Sequence, residues 1–214
     1  MNVEPIVLEG RWARLEPLAE HHAADLTVAA QDEEIWRYMP AVLKTEEQVH
    51  AWIIAAQAQQ ATGSQLPFTI VERATGRAIG STRYLNITPN DRGLEIGWTW
   101  LARTAWRTPV NTECKFLLLR HAFEKLGCIR VQIKTDQRNE RSRRAIERIG
   151  GRFEGILRNH MIMHYGIRDS AYYSIIDAEW PEVKERLASR LSDLPSGGGL
   201  EEASGTLQAS STSV

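Results

Sequence analysis

The chain has 214 residues, 25% of them charged and 43% hydrophobic, enough for one sizeable core or two small ones. A formal net charge of -1 argues against a nucleic-acid or anionic-membrane partner held by broad electrostatic attraction. No run of about 18 apolar residues exists, and the opening MNVEPIVLEGR lacks the basic start and apolar stretch of a signal peptide, so a cytoplasmic location is expected.

Residues 6–16 mix apolar and polar side chains in near alternation around Gly10, an opening strand or a hairpin-like bend. Residues 20–31 suit a short helix. Thr45-Glu46-Glu47-Gln48 has the form of a capping box, and Val49, Trp52, Ile53 and Ala56 share one face of the helix that follows to about Ala61. Residues 67–72 and 78–85 read as strands joined by the turn Ala74-Thr75-Gly76-Arg77, and with the β-rich stretch Gly93–Leu101 they form an antiparallel meander.

A turn over 102–110 leads into a helix from Asn111 or Thr112, with Leu117, Leu118, Ala122 and Leu126 at helical spacing and Gly127 where a C-cap belongs. Ile129, Val131 and Ile133 alternate with polar residues and mark a strand. Asn139 is a good N-cap for a helix through Ile149, ended by Gly150-Gly151. Strands at 152–163 and 168–176, joined through His164-Tyr165-Gly166-Ile167, close the domain (1–191). The Gly/Ser-rich stretch 192–214 reads as a disordered tail.

This order predicts an α+β fold with a central mixed, mostly antiparallel sheet of about seven strands flanked by helices. The unit over 93–135 makes strands 93–101 and 128–135 parallel through a right-handed crossover, and sets a ligand at their carboxyl ends beside the 102–110 turn. A helix starting directly after a strand leaves backbone N–H groups unpaired at positive potential, an arrangement that binds phosphate. Cys114 and Cys128 sit in apolar runs without a CxxC pattern and read as buried hydrophobes.

The phrases EIGWTWL (95–101), NTECKFLLLRHAFEKLG (111–127), KTDQRNERSRRAIERIGGRFEGILR (134–158) and RDSAYYSII (168–176) together resemble the GNAT superfamily of N-acetyltransferases, and within it the Rim-type branch that includes ribosomal-protein N-terminal acetyltransferases. The resemblance covers about residues 8–180. It implies acetyl-CoA as donor, no metal, and a primary amine as acceptor, a protein or peptide N-terminus by likeness to the Rim branch. A small-molecule amine acceptor, or a CoA-binding module without turnover, are the alternatives. Paired final strands in the family often support a homodimer.

By that resemblance the strand matching Trp98, Thr99, Trp100 and Leu101 pairs with the pantetheine arm, and the following turn and helix start hold the pyrophosphate. The family turn carries Gln or Arg, two residues, Gly, one residue, then Gly or Ala; here Trp106, Pro109 and Asn111 occupy those positions. Pro109 has no N–H to donate. The N–H groups of Arg107, Thr108, Val110, Asn111 and Thr112 remain, and the cations of Arg103 and Arg107 can compensate.

Asn139 and Ser142 match family positions beside the cofactor arm and its sulfur. A helix cap and a first-turn serine explain them equally well, while a hydroxyl at a positive helix end also suits donation to a developing thiolate. Glu95, in the central strand, is the candidate base or simply an ion-paired strand residue; an α-amine with a pKa of about 7.7 to 8 needs little help. His160, with His164, Arg158, Arg168 and Asp169, gathers at the last hairpin; a histidine there is a candidate base or acceptor-side residue, or an ordinary turn or strand residue, and Arg168 with Asp169 reads first as a structural pair. Trp36 and Tyr38 stand where the family's acceptor lid lies, or pack in a core. The arginines from 138 to 152 form the densest basic patch, most of them a solvated helix face with Glu140 and Glu147. His21, His22, His50 and His121 are expected on surfaces or helix faces.

Overall fold

A computed structural model describes residues 1–194; the expected tail lies outside the described residues from 195 onward. One sheet organises the chain: β1 (Leu8–Glu9), β2 (Ala13–Pro17), β3 (Gln65–Glu72), β4 (Ala78–Thr88), β5 (Gly93–Leu101), β6 (Arg130–Asp136), β7 (Arg152–Met163) and β8 (Gly166–Ile176). Their spatial order is β1-β2-β3-β4-β5-β6-β8-β7, eight strands among the described residues rather than about seven, and every neighbouring pair is antiparallel except β5 with β6. The extra strand arises because residues 6–16 form a hairpin. Its bend is pinned from a distant helix: the Glu113 carboxylate accepts the backbone N–H groups of Arg11, Trp12 and Ala13 at 2.6 to 2.8 Å. A Cβ on Gly10 would collide with that carboxylate, so only glycine fits there.

Helix α1 (Ala23–Ala29) and α2 (Glu46–Ala61) cover one face of the sheet. The Thr45 cap is as expected, its hydroxyl accepting the Gln48 N–H while the Gln48 side chain returns to the Thr45 N–H. Val49, Trp52, Ile53 and Ala56 bury against Leu18, Leu26, Trp36 and Trp100 in a core of their own. On the opposite face, α3 (Val110–Glu124) packs Leu117, Leu118 and Ala122 against Ile96 and Tyr84. The Tyr84 hydroxyl donates to the Leu118 carbonyl at 2.6 Å. Gly127, at a φ of 67°, reverses the chain into β6.

Helix α4 (Glu140–Arg148) is capped by the Asn139 side chain, which accepts the Ser142 N–H at 3.0 Å. Residues 177–191, which carry no assigned element in the sequence reading, contain most of α5 (Trp180–Ser192). Trp180, Val183, Leu187 and Leu191 form its buried stripe; Trp180 stacks on Phe123 of α3 at 5.3 Å, and Lys184 pairs with Glu124 at 2.8 Å. Helix α5 thus runs one residue past the expected bound at 191. Cys114 and Cys128 are both buried, as expected of small apolar side chains.

Candidate active site

Strands β5 and β6 pair in register only at Gly93–Arg130, Leu94–Val131 and Glu95–Gln132. Beyond that point β5 runs on to Leu101 and β6 to Asp136 without pairing, so the edge of β5 that faces β6 has no strand partner among the described residues from Ile96 onward. Against β4 the ladder slips as well: Gly97 faces Arg83 and Trp100 faces Ser81, which leaves Trp98 and Thr99 opposite Thr82 alone. Trp98 takes up this bulge at a φ of 51°, a costly conformation for a bulky residue. The outcome is a wedge between two parallel strands, open at their carboxyl ends.

Helix α3 begins at the base of the wedge. Its first residue is Val110 and its N-cap is Pro109, a position where a missing N–H costs nothing. The N–H groups of Asn111 and Thr112 have no protein partner among the described residues. The left-handed bend that the family pattern assigns to glycine lies two residues upstream of Pro109, at Arg107, with a φ of 63°. Arg107 is exposed, and the Thr108 hydroxyl donates to Ala105 at 2.8 Å. Trp106 donates its indole N–H to the Leu101 carbonyl at 2.9 Å and lies between two guanidinium groups, Arg103 at 4.3 Å and Arg141 at 3.6 Å. Arg141 belongs to α4, so this stack joins the walls of the wedge.

Glu95 is 2% exposed at the point of divergence. Its Oε2 accepts from Asn86 at 2.9 Å, Gln132 at 2.9 Å and Lys134 at 3.0 Å, whereas Oε1 takes no donor among the described residues. A Cβ on Gly97 would lie 3.2 Å from that Oε1, so glycine leaves space beside the free oxygen. On the same face, Tyr172 bonds His160 Nε2 at 3.2 Å, and His160 Nδ1 bonds Ser170 Oγ at 2.9 Å. Burial, with Lys134 and Arg168 nearby, lowers the His160 pKa and favours the neutral ring; burial and the Glu95 charge raise that of Tyr172 and keep it protonated.

The remaining expected residues divide. Tyr38 reaches across to the Arg138 carbonyl at 3.5 Å and meets Tyr165 edge-on at 6.0 Å, and His164 approaches the Trp36 carbonyl at 3.3 Å, so this loop lies against the β7–β8 turn. Trp36 itself is 4% exposed, with its indole N–H given to Ala30 at 2.8 Å, and Trp100 is buried beside it. Both act as packing behind the site. Ser142 is half-buried in the first turn of α4, its hydroxyl making no hydrogen bond among the described residues.

Arg168 and Asp169 do not pair: as strand neighbours they face opposite sides, Arg168 bonding Ser170 at 2.9 Å and Asp169 bonding Gln137 at 2.8 Å. His22 and His121 are buried rather than on the surface, His121 on the inner face of α3, their rings filling space beside Thr69 and Tyr84. Among the described residues, Glu16, His21 and His22 group tightly enough for an ion, but Glu16 holds His22 Nε2 at 2.7 Å and Ala19 N–H meets Nδ1 at 3.1 Å. That contact set needs no metal. Asn86, Gln132, Lys134 and Tyr172 escaped the sequence reading; the parity of Gln132 and Lys134 in a strand parallel to Glu95 was the available signal.

Comparison with known proteins decides the family. Residues 13–152 match the family described as the acetyltransferase (GNAT) domain. The chain belongs to that family. It is 33% identical over 109 residues to a candidate ribosomal N-acetyltransferase of Bacillus subtilis, YdaF, a match that takes in 51% of this chain and 59% of that protein. Among solved structures, a GCN5-related N-acetyltransferase from Brucella melitensis is 32% identical, with a TM-score of 0.83 over 87% of this chain and 86% of its own. A candidate acetyltransferase from T. thermophilus is 38% identical, with a TM-score of 0.81 over 89% of this chain and 100% of its own. The mixed sheet and its flanking helices are thus those of GNAT acetyltransferases, and the YdaF likeness supports the Rim-type resemblance.

Proposed function

We propose that this GNAT protein transfers an acetyl group from acetyl-CoA to a primary amine at the N-terminus of a peptide or protein, by direct attack within a ternary complex. The observation that carries the reading is the divergence of β5 from β6 after Glu95 and Gln132, with the open start of α3 at its base. The unpaired edge from Ile96 to Leu101 offers backbone groups to the pantetheine amides. The free N–H groups of Asn111 and Thr112, with Arg107 and Arg103, suit the pyrophosphate, so the residues present fit CoA.

In this reading Glu95, its Oε2 held by three donors, turns Oε1 toward the incoming amine and accepts its proton directly or through water. A backbone N–H at the Trp98 bulge stabilises the oxyanion. Ser142 or the protonated Tyr172 donates to the departing thiolate, and Asn139 orders the turn that carries Ser142. Tyr38 and His160 line the acceptor side. The likeness to YdaF, a candidate ribosomal N-acetyltransferase, supports the peptide acceptor. The edge strand β7 exposes Phe153, Ile156 and Leu157, and Ile162 is 92% exposed, which supports a homodimer through this edge. No helix among the described residues is long and apolar enough to cross a membrane.

The test is thiol release from acetyl-CoA across a panel of peptides and small amines. Turnover with peptide N-termini and weaker turnover with small amines is expected; CoA binding without release to any amine would reduce the protein to a binding module.

A further inference from the structure

Arg83 is a buried cation with no anionic partner among the described residues. It is 4% exposed on β4, register partner of Gly97 and next to the Trp98 bulge. The indoles of Trp52 and Trp98 both lie against it, with ring centres 4.9 and 4.6 Å from the guanidinium carbon. Nη1 donates to Gln65 Oε1 at 3.0 Å, while Nε, itself buried, has no partner among the described residues. The edge formed by Nε and Nη2 is the fork that grips a carboxylate with two parallel hydrogen bonds. Burial pulls its pKa down to about 10, which leaves the group charged at neutral pH.

A structural role alone accounts poorly for this arrangement. An apolar side chain would fill the slot beside two indoles without the cost of removing a charge from water. The neighbouring charges sharpen the point. On this face of the sheet the carboxylates of Glu95, Asp136 and Glu154 are already taken by Lys134, Arg138 and Arg130. Arg168 is 6% exposed and bonds only the Ser170 hydroxyl, so it too has no carboxylate among the described residues. Arg168 stands beside His160 and Tyr172, and Arg83 lies two residues along β4 from Leu85, the register partner of Glu95; neither has a carboxylate partner among the described residues.

We propose that the acceptor carries a carboxylate close to its amine and that Arg83 binds it side-on, which makes Arg83 a specificity-determining residue of the acceptor site. The proposal rests on the acetyltransferase reading above. The carboxylate can belong to an acidic side chain at the first or second residue of a peptide, or to the α-carboxyl group of a free amino acid; the chemistry recognised is the same. Trp98, half-buried, is the ring beside which the carboxylate enters the plane of the guanidinium group.

Matched acceptors test this with the intact protein and acetyl-CoA: peptides differing only as Asp against Asn or Glu against Gln at the first two positions, and a free amino acid against its amide. The acid is expected to win by about tenfold or more in kcat/KM, mainly through KM, because a site built to pair a polar group rejects a substrate that leaves it unpaired. The peptide and amino-acid arms show which source supplies the carboxylate. Arg83→Met, which keeps the stacked volume, is expected to bring the acid-to-amide ratio toward one, a change that loss of packing alone would not produce. Equal rates for acid and amide in the unaltered protein, or an unchanged ratio in Arg83→Met, overturn the proposal and leave the acetyltransferase reading standing. Absence of transfer to every amine removes both.

Discussion

Gln132 donates its side-chain amide to Glu95 at 2.9 Å, and the same two residues form the last register pair between β5 and β6. The point where the sheet opens is therefore also the point where the candidate base is anchored. Asn86 from β4 and Lys134 from β6 complete the hold on one oxygen. Three donors on Oε2 fix the carboxylate plane, and fixing the plane sets where Oε1 points.

Replacing Glu95 with glutamine keeps the shape but leaves Lys134 without its counter-charge. A kcat reduced about 100-fold or more is expected, in the range of a lost general base, with the KM for acetyl-CoA nearly unchanged. Unfolding in urea should show a loss of about 1–3 kcal/mol, because a buried charge network loses a partner. A variant with normal kcat would assign Glu95 to structure alone.

Arg107 holds a left-handed backbone at a steric cost of about 1–2 kcal/mol that glycine avoids. Arg107→Gly is therefore expected to leave the melting temperature unchanged or raised, while titration with CoA shows affinity weakened about threefold to tenfold through the missing cation. Opposite signs in the two measurements separate strain from ligand contact.

Lys115 lies under β5 with no carboxylate partner among the described residues, its ammonium donating to Thr99 at 2.5 Å. Burial lowers its pKa to about 8, against about 10.4 in an unfolded chain. Between those values the unfolded state holds more protons than the folded state, so this group makes stability rise with pH across that window; below about 8 both states are protonated and the cost of burial is present in full. Lys115→Met should be more stable at pH 7 by about 1 kcal/mol or more, with an advantage that shrinks toward pH 10. Paired urea titrations at the two pH values check the sign.

Much of this architecture is legible in local sequence. Gly93–Leu101 is the same strand in pattern and in space, and the Thr45–Gln48 box, the Asn139 cap and the Gly127 reversal follow from chemistry confined to a few residues. Around Gly10 local pattern allows a strand or a hairpin-like bend, and the carboxylate that pins the bend, Glu113, stands about a hundred positions away. Helix α5 packs its stripe on α3, a partner that local pattern does not show, although Pro181 in its first turn is an ordinary helix-start signal. The site divides in the same way. Glu95 stands out as a carboxylate in an apolar strand, but its donors come from β4 and β6 and are apparent only once register is known. Arg83 reads as one polar residue in a strand until two indoles lie against it.

The central claim is direct acetyl transfer at the opening of β5 and β6. Its most direct test is mass analysis after mixing the protein, acetyl-CoA carrying an isotopically labelled acetyl group, and a peptide with a free N-terminus. The account predicts the label on the peptide α-amine, with no labelled protein when the peptide is left out. Label held covalently on the protein, or CoA bound with every amine left unlabelled, would contradict it.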